Sequence, residues 1–327
     1  MAAPGKGILT ACAALALGHA APLAYAQAFP SQPIELVAHT APGGGTDQYV
    51  RLLSEVFVRE KLVSQQPTVS NRVGGGGAIA YNYVKGRKGD PHVILAIATG
   101  TFLSALTRTD LGFSIDDFTP IAFLAMDPQV VAVTGDSRFT SVKELIDAAK
   151  REPNTIVSAI ASATGSGRLF QYMLEKETGA RFKYVSFKSG SEAGTAVAGG
   201  HIHLTTENHS EVAAHLESKK VRVLAVTGEK RMAVLPNVPT MQELGYKDFD
   251  ITQFVGLMVP AKTDAAIVRR LQEEVAKALK APEVIEKLQN EGGNDLIGGS
   301  PEAFAAVIQR ELAMYKKLVT DAKISKD

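Results

Sequence analysis

An α/β fold in two lobes, each a mostly parallel sheet flanked by helices, is predicted by three observations on this chain. Short apolar strands alternate with amphipathic helices from residue 34 to the C-terminal helix. The length, 327 residues, suits two cores better than one. Glycine-rich turns stand where strands end and helices begin, as at the carboxyl edge of a parallel sheet. Composition closes off other classes. Hydrophobic residues make up 45% and charged residues 21%, which excludes disorder, collagen and coiled coil. Lys plus Arg number 35 against 34 Asp plus Glu, so there is no broad basic field for nucleic acid. Beyond the N-terminus no apolar run approaches the ~18 to 20 residues of a membrane span.

Residues 1–26 read as an export signal. Lys6 precedes a stretch, residues 8–17, that is nearly all apolar or small, and Ala24-Tyr25-Ala26 sets small residues before a cut at Gln27. Leu9-Thr10-Ala11-Cys12 resembles a lipobox, but the apolar stretch before Cys12 is too short for a lipoprotein signal. Cleavage removes Lys6 and no acid, leaving basic and acidic residues in equal number. It also removes Cys12, the only cysteine. A mature chain without cysteine has no disulfide, thiolate catalysis or Cys-based metal site. An exported chain of this size without disulfides fits the bacterial periplasm.

Strands are predicted at residues 34–39, 68–71, 93–98, 121–124, 130–133, 156–159, 182–186, 202–206, 221–227 and 255–259. Helices are predicted at 48–62, 78–85, 142–150, 167–178, 191–198, 210–216 and 264–278. A last helix has Ser300 as cap and Pro301 in first position, with Phe304, Ile308, Leu312 and Tyr315 on one face. No flexible linker or internal repeat is visible. The chain therefore crosses between lobes on ordered strands near Val130 and Val255. One lobe would hold residues 27–129 and 253–327, the other residues 130–252.

The chemistry lies in loops after strands. The first strand runs into Thr40 and then Ala41-Pro42-Gly43-Gly44-Gly45-Thr46-Asp47. Such a glycine loop lets backbone N–H groups converge on an anion, and the helix that follows adds its positive end. Thr46 and Asp47 fall in the first helical turn, where they either cap the helix or meet ligand. A free Asp47 carboxylate would repel an anion and suit an amine, a hydroxyl or water. The loop Ser162-Ala163-Thr164-Gly165-Ser166-Gly167-Arg168 repeats this logic, with Arg168 able to add a bidentate partner. Two such loops on different lobes point to one ligand held between them. Lesser candidates are Thr99-Gly100-Thr101, Lys188-Ser189-Gly190 and Glu207-Asn208.

Enzyme templates fail. Gln48 and Phe170 stand where a dinucleotide fingerprint needs its third glycine, and neither glycine run supplies the P-loop Gly-Lys-Ser/Thr. Thr164 stands where a nucleophile elbow needs glycine two before Ser166. His201 and His203 share a strand face without a third ligand at matching spacing. No catalytic residue, metal or cofactor is expected.

Several segments together carry a family resemblance. They are Phe29-Pro30-Ser31-Gln32-Pro33-Ile34, the loop from Ala41 to Asp47, Asn71-Arg72-Val73-Gly74-Gly75 and Phe187-Lys188-Ser189-Gly190. Ala225-Val226-Thr227, Leu235-Pro236-Asn237-Val238-Pro239-Thr240 and Gly256-Leu257-Met258-Val259-Pro260-Ala261 follow in order. The chain resembles the substrate-binding receptors of tripartite tricarboxylate transporters, the Bug or TctC proteins, over essentially its whole mature length. The resemblance implies a type II periplasmic binding protein, a Venus flytrap that closes on a small organic anion. It implies delivery of an organic anion, often a di- or tricarboxylate, to a permease of one large and one small subunit; a monomer is expected. It implies carboxylate contacts from the loops Ala41 to Asp47 and Ser162 to Arg168. The chain departs from the family pattern at Gly167 to Phe170, where a His is common, at Glu207, where Asp is common, and at Ser189. Alternative readings are a sensor that signals to a membrane kinase, and an exported hydrolase using Ser166 or Ser191.

Overall fold

A computed structural model of the chain describes residues 1–2, 29–106, 108–161, 165–247, 249, 252–291 and 293–321. The export signal, except for its first two residues, lies outside the described residues, as do Ser162, Ala163 and Thr164 of the second glycine loop.

The chain begins β1 (Glu35–Ala38), α1 (Gly45–Arg59), β2 (Thr68–Asn71), α2 (Ala78–Lys85), β3 (Val93–Ala98), α3 (Thr99–Leu106) and β4 (Phe118–Pro128). It crosses into β5 (Val130–Thr134), α4 (Val142–Arg151), β6 (Val157–Ile160), α5 (Ser166–Thr178), β7 (Lys183–Ser186), α6 (Gly190–Ala198), β8 (Leu204–Thr205), α7 (Ala213–Glu217) and β9 (Val221–Val226). It returns through β10 (Thr252–Pro260), α8 (Ala265–Ala278), α9 (Pro282–Val284), a π-helical stretch Ile285–Glu291, β11 (Asp295–Gly299) and α10 (Pro301–Asp321).

Two sheets result. One has six strands in the order β11-β4-β10-β3-β1-β2, the other five in the order β7-β6-β8-β5-β9. Strand alternation buries both faces of each. In β1, Leu36 and Ala38 join the core under α1 and α8, whereas Val37 joins the core under α2, α3 and α10. In β5, Val131 and Val133 face α4 and α5, and Val130 and Ala132 face α6 and α7. Helix α5 serves both lobes. Phe170 and Leu174 fill the second-sheet core, while Leu169, 1% exposed, sits in the first-sheet core with Phe102 and Phe304.

The sheets are mixed rather than mostly parallel. β1 is parallel to β2 and β3, and β6 to β7 and β8. β10 is antiparallel to β3 and β4, and β5 to β8 and β9. A chain that crosses out through β4 and β5 and returns along β10 brings each lobe a strand of opposite direction. Gln129, fully buried, pins the crossing. Its N–H donates to Thr227 Oγ1 at 2.9 Å, and its carbonyl accepts from Thr227 N–H at 2.9 Å.

Thr99-Gly100-Thr101, singled out from sequence as a candidate loop after the third strand, opens α3. At eight residues with no charged side chain the segment carries little helical pattern, and packing of Phe102 edge-on to Tyr81 and Phe118 decides instead. The helix predicted at 210–216 is a short 3₁₀ turn, His209–Glu211, followed by α7, with Asn208 and Glu211 forming a reciprocal cap.

Candidate ligand-binding site

The first glycine loop is organised around Asp47. Its carboxylate accepts from Gly43 N–H at 2.8 Å, Arg51 Nε at 2.8 Å and Asn71 Nδ2 at 2.7 Å. Burial alone would raise the Asp47 pKa; the bonds from Arg51, Gly43 and Asn71 overcome it and hold the carboxyl below its usual range. Asn71 Nδ2 also reaches Thr40 O at 2.9 Å, tying β2 to the loop, and Thr40 and Thr46 share a hydroxyl hydrogen bond of 2.9 Å. Gly43, at φ +81°, takes a conformation that favours glycine. Helix α1 then starts with Gly44 as N-cap and no side-chain cap. Thr40 Oγ1 accepts the Asp47 N–H at 3.3 Å, leaving those of Gly45 and Thr46 for a group outside the helix.

Helix α5 starts with Gly165 as N-cap, a residue with no side chain of its own to cap the helix. Ser166 Oγ accepts from Gln253 Nε2, an amide on the crossing strand β10, where a serine nucleophile would need an imidazole. A Cβ on Gly100 would come within 2.8 Å of Ser166 Cβ, so glycine is what lets α3 approach α5.

Between the loops lies a cleft of two connected compartments. The inner one, about 80 Å3, is lined by His39, Thr40, Gly45, Thr46, Tyr49, Ala98, Thr101, Asp127, Ala161, Gly165, Ser166, Glu207, Asn208, Ser210, Glu211, Gln253 and Val255. The outer one, about 370 Å3, adds Ala41, Val73, Gly74, Gly76, Gly77, Lys188, Ser189 and Gly190. Both sheets contribute to each.

Of the residues singled out from sequence, the cleft gathers Ala41, Gly45, Thr46, Thr101, Gly165, Ser166, Lys188, Ser189, Glu207 and Asn208. Pro42, Gly43, Gly44 and Asp47 shape the loop without lining it. Thr99 is spent on β10, its hydroxyl donating to Phe254 O at 2.7 Å, and Gly100 fills the contact with Ser166. Arg168 is a correction. Its guanidinium lies 4.1 Å over the Tyr184 ring and 3.9 Å from Glu175, not against the cleft, because helix periodicity turns it to β7. Sequence reasoning missed His39, Asp127, Ser210, Glu211 and Gln253. His39 follows the end of β1 directly, which was a usable signal; the others are joined only by the folding of distant segments.

Three of these side chains are acids. Asp127 accepts from Ser210 Oγ at 2.5 Å, and burial pushes its pKa up to about 7. Glu207 accepts from Ala161 N–H at 2.7 Å, and burial pushes it to about 7. Glu211 accepts from the N–H of Gly190 at the start of α6 and rises well above the usual range. Burial is the main cause, then the charges of Glu207 and Asp127. The His39 imidazole is driven down to about 4 by burial, so it is neutral. His39 Nε2 and Tyr49 Oη are buried without a partner.

Two α/β sheets joined by crossing strands, with a polar cleft lined from both, define a two-lobed solute-binding protein. More narrowly, the chain belongs to the tripartite tricarboxylate transporter receptor family, whose model matches residues 50–324. The UPF0065 protein in the tcbD-tcbE intergenic region of Pseudomonas sp. (strain P51) is 31% identical over 91% of this chain and 88% of its own length. The structure of periplasmic binding protein BugD covers 91% of this chain and 100% of its own at 26% identity, with a TM-score of 0.83. R. palustris Rpa4515, solved with adipate, covers 90% of this chain and 98% of its own at 27% identity, also with a TM-score of 0.83.

Proposed function

We propose that this chain is an extracytoplasmic receptor that captures a small organic acid between its lobes and hands it to a two-subunit membrane permease. Residues 1–26 direct it to the periplasm and are removed. The lobes are residues 27–129 with 253–327, and residues 130–252. The observation that carries the reading is the meeting of α1 and α5 at one cleft, each with a glycine at its N-cap. An acid group there receives main-chain N–H groups and the positive ends of helix dipoles. Gly45, Thr46 and Thr101 act from one lobe, and Gly165 and Ser166 from the other. Lys188 at the mouth adds a positive charge. The solved relative with adipate shows that a member of this fold, 27% identical to this chain, accepts a carboxylate.

Capture makes and breaks no covalent bond. A ligand bound to one lobe completes its contacts when the lobes rotate together about the crossings near Gln129 and β10. Differential scanning calorimetry of ligand-free protein with a panel of organic acids tests this. A true ligand at a hundred times its Kd adds about 2.7 kcal/mol, read as a higher Tm. No shift with any acid would count against capture.

A further inference from the structure

The ligand cleft is one of two gaps between the lobes, and the end of β4 separates them. Asp127 turns its side chain to the cleft, where it meets Ser210. Its neighbours Met126 and Pro128 turn to the other face, as strand alternation requires. There they floor a second cavity, of about 360 Å3. The first lobe walls it with Asp295 at the start of β11 and Arg310 on α10. The second walls it with the turn from Thr227 to Met232 that follows β9. Arg231 and Arg310 pair inside their own lobes, with Glu243 at 2.8 Å and Glu311 at 3.0 Å. None of these walls belongs to the cleft.

The strip between the two gaps is held firmly. Gln129 follows Pro128 and donates its N–H to Thr227, which itself lines the rear cavity. Beside that cavity the lobes already touch. A Cβ on Gly293 would come within 2.6 Å of Met232 Cε and 2.7 Å of Val234 Cγ2. Two bodies joined by a strip cannot bend about it without widening one gap and narrowing the other. Packed interiors do not yield to absorb the motion. Bending that parts the cleft therefore consumes the space behind β4.

We infer that the rear cavity sets the balance between shut and parted lobes: its empty space is what lets the cleft open, and bulk placed in it holds the cleft shut without touching ligand. This rests on the lobe rotation of the proposed function and deepens it. Bulk in the rear cavity acts only on the form that needs the space, so it shifts the equilibrium in one direction.

Double electron–electron resonance reads the lobe separation in ligand-free protein, with spin labels at Ile79→Cys on α2 and Thr195→Cys on α6 and with Cys12→Ser. Asp295→Trp fills the rear cavity from the first lobe, and Glu229→Trp fills it from the second. Each raises the ratio of short to long distances roughly 10-fold. Asp295→Asn removes the charge without adding bulk, and Lys143→Trp adds bulk on the exposed face of α4; both leave the ratio as in wild type. If wild type shows short distances only, the comparison is made in Leu169→Ala, which loosens the seat of α5 in the first-sheet core. A ratio unmoved by both cavity tryptophans, or moved toward long distances, would overturn the inference and leave acid capture standing. So would an equal shift with Lys143→Trp. One distance in every variant, unchanged by any organic acid, would remove lobe rotation and both readings with it. Should one cavity variant not fold, the other decides.

Discussion

Gly45 separates a structural from a binding role for the first glycine loop. A Cβ there meets nothing within 4 Å, and the residue lines both compartments. Gly45→Val should fold with Tm nearly unchanged and lose ligand binding at least about 100-fold, since the side chain fills the space of the ligand. Wild-type affinity in titration would remove the loop from the site. Asp47 is the opposite case. Asp47→Ala strips an acceptor from Gly43, Arg51 and Asn71. It should cost about 2 to 3 kcal/mol in denaturant unfolding, and a change under about 0.5 kcal/mol would show that the loop does not depend on it. The glycine loops were legible in sequence because a strand, glycines and a helix start are local features. The acids were not. Asp127 ends β4, while Glu207 and Glu211 follow β8, and only the crossing at Gln129 brings them together. Asp47 could be read as cap or ligand until its partner Asn71, on a different strand, was in place.

Elements with a strong period were read to within a few residues. β2, β3 and α2 have the expected limits, and α10 starts at Pro301 as its capping residues require. What failed had no period to read. α3 is eight residues long, opens on Thr-Gly-Thr and is held by aromatic edges, and β11 is a short edge strand paired with β4. Packing between elements is equally invisible in one dimension. Gly256 in β10 faces α10, and a Cβ there would fall inside the ring of Phe304. That ring also stacks on Phe123 at 5.8 Å and meets Phe254 edge-on at 5.7 Å, so it has nowhere to retreat. Gly256→Ala should destabilise by about 1 to 3 kcal/mol, checked by urea unfolding. A neutral result would mean that α10 is free to shift outward.

The whole molecule should feel the buried acids as pH dependence. Above pH 5 ordinary carboxylates are ionised folded or unfolded. Asp127 and Glu207 at about 7, and Glu211 above its usual range, hold protons in the fold that the unfolded chain has released. Stability of the free protein therefore falls as pH rises from about 5 through 7, by about 1.4 kcal/mol per pH unit for each extra proton held. His39, lowered to about 4, works the other way: the unfolded chain takes up its proton below about 6.5. One imidazole against three carboxyls leaves the net slope downward. Calorimetric Tm between pH 5 and 8 checks the sign, and a Tm that climbs over that range would contradict the placement of these acids.

Leu169 sets a cost on letting go. It is carried by a helix of the second sheet yet seated among the aromatic rings of the first. Any parting of the lobes that unseats it wets a leucine, about 1.5 to 3 kcal/mol, in one step rather than by degrees. In the proposed closure this contact acts as a latch independent of cargo. Dwell time should depend on this side chain even for ligands that never touch it, and unloading becomes the step at which an outside surface has work to do.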